Sequence, residues 1–186
     1  MTRNARRPER AFIVEVAALL RQPGSRRRIR IEGQLPELEV STASVPREAN
    51  VIFDGVLEAV TEGILVTGTV VTPWQGTCRR CLEPAYGVVE DEVCELCCED
   101  GDVETTYPLR GDLLDLAPVV RDACILDLPL APLCRADCAG LCPECGVNRN
   151  LEQCSCDAPI DIRWAALGAL SKEAEGGPET GSNQSE

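Results

Sequence analysis

The chain has 186 residues, 44% of them apolar, with 31 acidic and 18 basic side chains and a net charge of −13. That apolar content supports one domain with a real core, but two each of Trp, Tyr and Phe exclude nucleic-acid binding built on ranks of stacked aromatics. With no histidine, no P-loop, no nucleophile elbow and no dinucleotide fingerprint, the common designs for base catalysis and cofactor binding are missing, as is any apolar run of the roughly 18 residues a membrane span needs.

Charge is unevenly spread. Residues 1–31 carry nine arginines against two glutamates, whereas residues 32–186 are strongly acidic. A basic arm on an acidic body can hold phosphate with the arm while the body repels it. Arg26, Arg27, Arg28 and Arg30 are the candidate RNA-binding residues; the alternative is a solvated strand edge whose charges block pairing.

In chain order, residues 1–10 are polar and expected to be disordered. Phe12–Val16 reads as a strand and Ala17–Arg21 as a short helical turn. The run from Phe12 to Leu20 mimics a signal peptide, but Glu15 interrupts it and Arg21-Gln22 stand where small cleavage-site residues would be. The expected compartment is the cytoplasm, where thiols stay reduced. Arg27–Glu32 alternates with period two, as a half-buried strand does. Leu35–Asn50 has no clean period. Val51–Val60 is a strand with Val51, Phe53, Leu57 and Ala59 on one face, and Ile64–Thr72 returns after a turn at 61–63. Pro73 should make the end of that strand an edge or a bulge. Tyr86–Cys94 starts the next strand, and Glu99–Thr106 is an acidic loop. One helix follows, capped by Asp115, with Pro118 in its first turn and Leu116, Val119, Val120, Ala123 and Leu126 on its apolar face. A second helix is expected over Ile160–Leu170, and 171–186 lacks the apolar content to fold.

Twelve cysteines punctuate this plan. Cys142 and Cys145 lie in CPECG: two intervening residues let one tight turn aim both sulfurs at one point, Pro143 presets φ, and Gly146 can take a positive φ behind the second ligand. Cys154 and Cys156 follow after a polar loop, GVNRNLEQ. These four read as one closed zinc site, against a disulfide framework or idle core thiols. Cys134 and Cys138 need two further ligands, which Cys78 and Cys81 in TCRRCLEP supply if the fold brings them together. The alternatives for that pair are a redox couple or a structural turn. Cys94 and Cys97 have ligand spacing too, but they lie among acidic residues; with Cys98 and Cys124 they read as structural thiols or as swapped ligands. One or two zinc ions are therefore expected.

The order CRRCL, an acidic stretch, DLLDLAP…RD…LPLAPLC, C-x3-C-x-G-L-C-P-x-C-G-x-N-x-N-L, C-x-C and D-x-R-W-x-x-L-x-x-L resembles the YceD family, over roughly residues 11–170. The GLCPECGVNRNL block with its trailing CSC is the most specific part. The resemblance implies a non-enzymatic role in accumulation of large-subunit ribosomal RNA in a bacterial or plastid setting.

The reading is thus α+β: an antiparallel β-meander body at 11–133 with a few short helices, a zinc-binding segment at 134–170 packed on it, and disordered ends at 1–10 and 171–186. Its expected partners are ribosomal RNA or basic ribosomal proteins, with no membrane and no small-molecule substrate. A zinc-ribbon regulator of transcription and a thiol oxidoreductase using Cys78 and Cys81 are the competing functions.

Overall fold

The computed structural model describes residues 11–99, 106–156 and 163. The expected helix over Ile160–Leu170 and the expected disorder of 1–10 and 171–186 lie outside the described residues. So does most of the acidic loop.

Alternation builds the sheet. In β4 (Val51–Val60) every odd position is buried and every even one half-buried, so Phe53 and Leu57 point into the core while Asp54 and Glu58 face outward. β5 (Gly63–Thr77) pairs with β4 from Val60↔Gly63 to Ile52↔Val71. It then runs on as one arm of a long hairpin with β6 (Pro84–Cys98), paired from Ile64↔Cys97 to Thr77↔Pro84. β5 runs through Pro73 to Thr77, five residues past the expected end at Thr72. Its free edge has β4 up to Val71 and the two-residue β3 (Ala43–Ser44) from Gln75 onward, so the proline falls in the gap between those partners.

The remaining strands are β1 (Ile13–Glu15), β2 (Arg26–Gly33), β7 (Tyr107–Arg110) and β8 (Leu113–Asp115). The eight-stranded sheet runs β1-β8-β7-β6-β5-β4-β2, with β3 paired to β5 off that path. It curls. β1 and β2 are its two ends, yet a Cβ on Gly33 would lie 2.9 Å from Cβ of Ala11 and 3.0 Å from the Phe12 ring. A groove of about 420 Å³ between those ends is lined by Ile13, Glu15, Arg27, Ile29 and Ile31, and no pairing joins β1 to β2 among the described residues.

The protein is mostly β, with a four-residue helix α1 (Ala17–Leu20) and one longer helix α2 (Ala117–Asp127). Two features depart from the expected meander. β7 pairs with β6 in parallel, through Cys97↔Tyr107 and Cys98↔Pro108. β8 takes the LLD residues just before α2 and pairs them with β1, where chain-distant pairing outweighs local helical preference.

α2 closes the core. The Ala117 N–H donates to Asp115 Oδ1 at 3.0 Å, Pro118 sits in the first turn, and Val119, Val120, Ala123 and Cys124 are buried. Leu126 is not on that face: it is 83% exposed. Thr72, on β5, is 1% exposed, and its hydroxyl meets Cys124 Sγ at 3.1 Å. Among the described residues no helix is long and apolar enough to cross a membrane.

Leu57 is fully buried and Leu126 largely solvated. Leu57→Ala should therefore destabilise the protein by about 2–5 kcal/mol in a denaturant titration, and Leu126→Ala by less than about 0.5 kcal/mol.

Candidate metal centres

Two turns of the same shape carry the CxxC pairs. At Cys78–Cys81 the Cys78 N–H donates to Glu83 O at 2.8 Å and the Leu82 N–H to Cys78 O at 2.9 Å. At Cys142–Cys145 the Cys142 N–H donates to Val147 O at 2.8 Å and the Gly146 N–H to Cys142 O at 2.9 Å. Each turn puts a positive φ directly after its second cysteine, 73° at Gly146 and 63° at Leu82. Glycine takes that conformation freely, but leucine takes it at a cost.

The first turn is the tip of the β5–β6 hairpin, and the segment 132–141 is laid across it. The Arg79 N–H donates to Pro132 O at 2.9 Å and the Leu141 N–H to Arg80 O at 3.0 Å. The Arg80 guanidinium donates to Cys138 O at 2.9 Å. Gly140, at φ 73°, lets the two backbones close, because a Cβ there would sit 3.0 Å from Arg80 O.

The result is a group of four sulfurs, those of Cys78, Cys81, Cys134 and Cys138, all within 4.8 Å of one another. Cys78 Sγ lies 3.8 Å from Cys138 Sγ, and Cys81 Sγ lies 3.6 Å from Cys134 Sγ. Four thiolates around a tetrahedral ion at about 2.3 Å stand about 3.7 Å apart, so the donor set fits a metal ion. These distances are far too long for disulfides, and all twelve cysteines are free. Cys142, Cys145, Cys154 and Cys156 form a second such group. The two groups differ in cover. Cys78, Cys81 and Cys138 are buried with Ala85, against Trp74, Leu133 and Leu141, whereas Cys145 and Cys156 are exposed.

Electrostatics prepare both groups for a cation. Burial pushes the Cys78 thiol up, but the backbone amides of Cys134, Cys81 and Arg80 outweigh it and bring the thiol down to about 6. The amides of Cys145 and Glu144 lower Cys142 to about 6 against its burial. Burial and the neighbouring sulfurs push Cys134 up to about 12. The Cys145 sulfur, with burial second, does the same to Cys156. Burial acts against the Cys138 thiolate too, but the Asn150 amide and the Gly140 N–H outweigh it and leave that thiol lowered. Cys78, Cys138 and Cys142 thus favour the thiolate, whereas Cys134 and Cys156 would need a positive charge to offset the repulsion between sulfurs.

Sequence reasoning passes over Asn148 and Asn150, since GVNRNLEQ reads only as a polar return loop. Asn150 ties the loop between Cys145 and Cys154 to the first group. Its Nδ2 donates to Cys138 Sγ at 3.3 Å and to Asn148 Oδ1 at 2.8 Å. Its Oδ1 accepts from the Ala139 N–H at 2.8 Å and from Arg135 Nη2 at 2.7 Å. The available signal is the N-x-N spacing next to a ligand pair, since short amide side chains bond to nearby backbone and sulfur.

The remaining candidates are dispersed. Cys94 is exposed on β6 and Cys97, Cys98 and Cys124 are buried; none joins either group. Burial first, then the charges of Cys98 and Glu95, push Cys97 up to about 12, as suits an inert core thiol. Arg26, Arg28 and Arg30 line the outer side of β2, but each is already paired: Arg26 with Glu58 at 2.9 Å, and Arg28 and Arg30 with Asp54 at 3.2 and 3.0 Å. Arg30, and to a lesser degree Arg28, holds the Asp54 carboxyl below its usual range despite some desolvation. Arg27 alternates to the other side, where its Nε and Nη2 are buried without a partner.

These features define a curled β-sheet protein with two four-cysteine groups able to hold metal ions at the end of its longest hairpin. A family model described as large ribosomal RNA subunit accumulation protein YceD matches residues 66–171, which contain both cysteine groups and the whole of β6. The chain belongs to the YceD family. It is 36% identical over 162 residues to an uncharacterized protein of Mycobacterium tuberculosis, covering 83% of this chain and 78% of that one. An uncharacterized protein of Mycobacterium leprae is 32% identical over 165 residues, covering 83% and 75%. A chloroplastic protein of Arabidopsis thaliana, large ribosomal RNA subunit accumulation protein YCED homolog 1, is 28% identical over 70 residues, 37% of this chain and 22% of that protein. No solved structure matches.

Cys78→Ala and Cys134→Ala should each release the same metal ion, and Cys142→Ala a different one, counted by native mass spectrometry. Asn150→Asp keeps the shape but puts a carboxylate where an N–H faces Cys138. It should weaken metal retention at that group about 10–100-fold in a chelator competition.

Proposed function

We propose that this chain is a non-enzymatic factor for accumulation of large-subunit ribosomal RNA, acting in the cytoplasm in assembly of the large ribosomal subunit and stapled by zinc. The family match over residues 66–171 carries the reading. It spans both cysteine groups together with β6, β7, β8 and α2.

Zinc is the metal that four thiolates at these separations suit best. Two groups would take one ion each, through Cys78, Cys81, Cys134 and Cys138 and through Cys142, Cys145, Cys154 and Cys156. A zinc ion closed by four thiolates offers no position to a substrate, so it supplies folding energy and no reaction step. It fastens a segment at 134–170 to a body at 11–133. The work is then non-covalent binding. Arg26, Arg28 and Arg30 form the side suited to RNA, where phosphate would exchange with Asp54 and Glu58; Arg27, turned inward, is the member least placed to join them. The acidic remainder suits basic ribosomal proteins.

In cells lacking the protein, the ratio of large- to small-subunit ribosomal RNA should fall. The wild-type chain should restore it and a Cys142→Ser variant should not. An unchanged ratio, with the tagged protein absent from large-subunit precursors in a gradient, would sink the proposal. Sedimentation with RNA polymerase instead would favour the transcriptional zinc-ribbon reading. Arg26, Arg28 and Arg30 changed together to Gln should flatten the salt dependence of RNA association, by about 0.9 in log–log slope for each duplex phosphate no longer neutralised.

A further inference from the structure

β6 leaves one long edge undone. β5 pairs with it from end to end, but on its other side β7 pairs only with Cys97 and Cys98. Among the described residues no strand pairs there with Pro84 through Leu96. Over about 40 Å, alternate residues turn their N–H and C=O groups toward a lane that no strand fills among the described residues.

The side chains along this edge have a definite pattern. No basic residue occurs between Pro84 and Leu96, while Glu90, Asp91, Glu92 and Glu95 do. On the outer face Tyr86 and Val88 are 69% and 63% exposed, and Glu90 and Glu92 continue the same row toward the middle of the strand. No ion pair engages Glu90 or Glu92 among the described residues, unlike Asp54 and Glu58 on β4. In the turn leading into β6, Leu82 holds its strained φ of 63° while 64% exposed. That φ belongs to the cysteine turn, and the exposed leucine adds to the apolar surface beside Tyr86.

We propose that the β6 edge is a docking strand for an extended, basic segment of a protein partner. The segment adds as a further strand through main-chain hydrogen bonds. Its cations meet Glu90 and Glu92, and its apolar side chains cover Val88 and Tyr86. An RNA strand fits this lane poorly, because its phosphates would face a run of carboxylates with no cation. The inference deepens the function proposed above by giving the basic-protein partner a surface, and it rests on that reading for the partner's class alone.

The probe is a peptide, KTKTVTVT, capped at both ends. Aligned antiparallel to β6, it sets its lysines opposite Glu92 and Glu90 and its valines opposite Val88 and Tyr86. With the metal-loaded full chain, it should bind in fluorescence anisotropy and slow hydrogen exchange of amides between residues 84 and 96. Methylating alternate peptide nitrogens should abolish binding, and ETETVTVT should not bind. Glu90→Lys with Glu92→Lys should weaken binding about tenfold with metal content unchanged. No binding, binding indifferent to N-methylation, or binding without slowed exchange in β6 overturns the proposal. So does protection of the same amides by an eight-nucleotide RNA. If the double variant still sediments with large-subunit precursors as the wild type does, the edge is not the docking surface and the ribosomal role stands without it.

Discussion

Four sulfurs crowded at the tip of a hairpin set the terms for the rest of the molecule. With Cys78 3.8 Å from Cys138 and Cys81 3.6 Å from Cys134, the group cannot carry four negative charges unaided. Repulsion between unit charges at such separations far exceeds thermal energy once water is partly excluded. Either protons or a cation must neutralise it, and only a cation also fixes direction. Besides the sulfurs, the segment 132–141 is held by backbone hydrogen bonds to Arg79 and Arg80, by the Arg80 guanidinium on Cys138 O, by Asn150, and by an apolar cluster of Ala85, Trp74, Leu133 and Leu141. A metal ion held by the four sulfurs would add to the order of this segment.

The body is organised on other terms. Phe12, Phe53, Leu57, Ile64, Leu114 and Leu116 are fully buried in one large cluster and need no metal to stay together. The sheet curls around this cluster, α2 covers it, and the hairpin carries the metal-binding end beyond the last residue that β4 can pair. A stable core and a conditional appendage thus share two strands, β5 and β6. The charges follow the same division. The arginines of β2 are largely neutralised by β4 beside them, and the carboxylates of β6 stand open.

The readily legible parts of this structure are those in which local pattern and tertiary role agree. Val51–Val60 alternates strictly because one face is buried, and the expected span and inward face of β4 match the structure. CxxC spacing is read from turn geometry alone, so the pairs stand out. How Cys78 and Cys81 meet Cys134 and Cys138 is inferable only from ligand arithmetic, since nothing local connects them. β7 and β8 escape because their partners are β6 and the distant β1; three- and four-residue strands have too little periodicity to announce themselves. Leu126 looks like a core residue because helical spacing does not say how wide the buried stripe is. Asn150 is invisible as a functional residue, because its role lies in what its amide reaches and not in its neighbours.

The span between the halves of the first sulfur group also fixes an order of events in time. Its paired sulfurs are 53 and 60 residues apart in the chain. At synthesis rates of about 5–20 residues per second, the hairpin cysteines wait about 3–12 seconds for their partners to be made. Throughout that interval the sheet can form, but the tip is half a site, with too few donors to close around an ion. Any capture of a metal ion by this group therefore cannot precede translation of Cys138, and the second group is complete only at Cys156, 18 residues further on. A chain cut short before that point would leave the ribosome with a sound core and an unfastened end, so a filled site marks a molecule made at least that far.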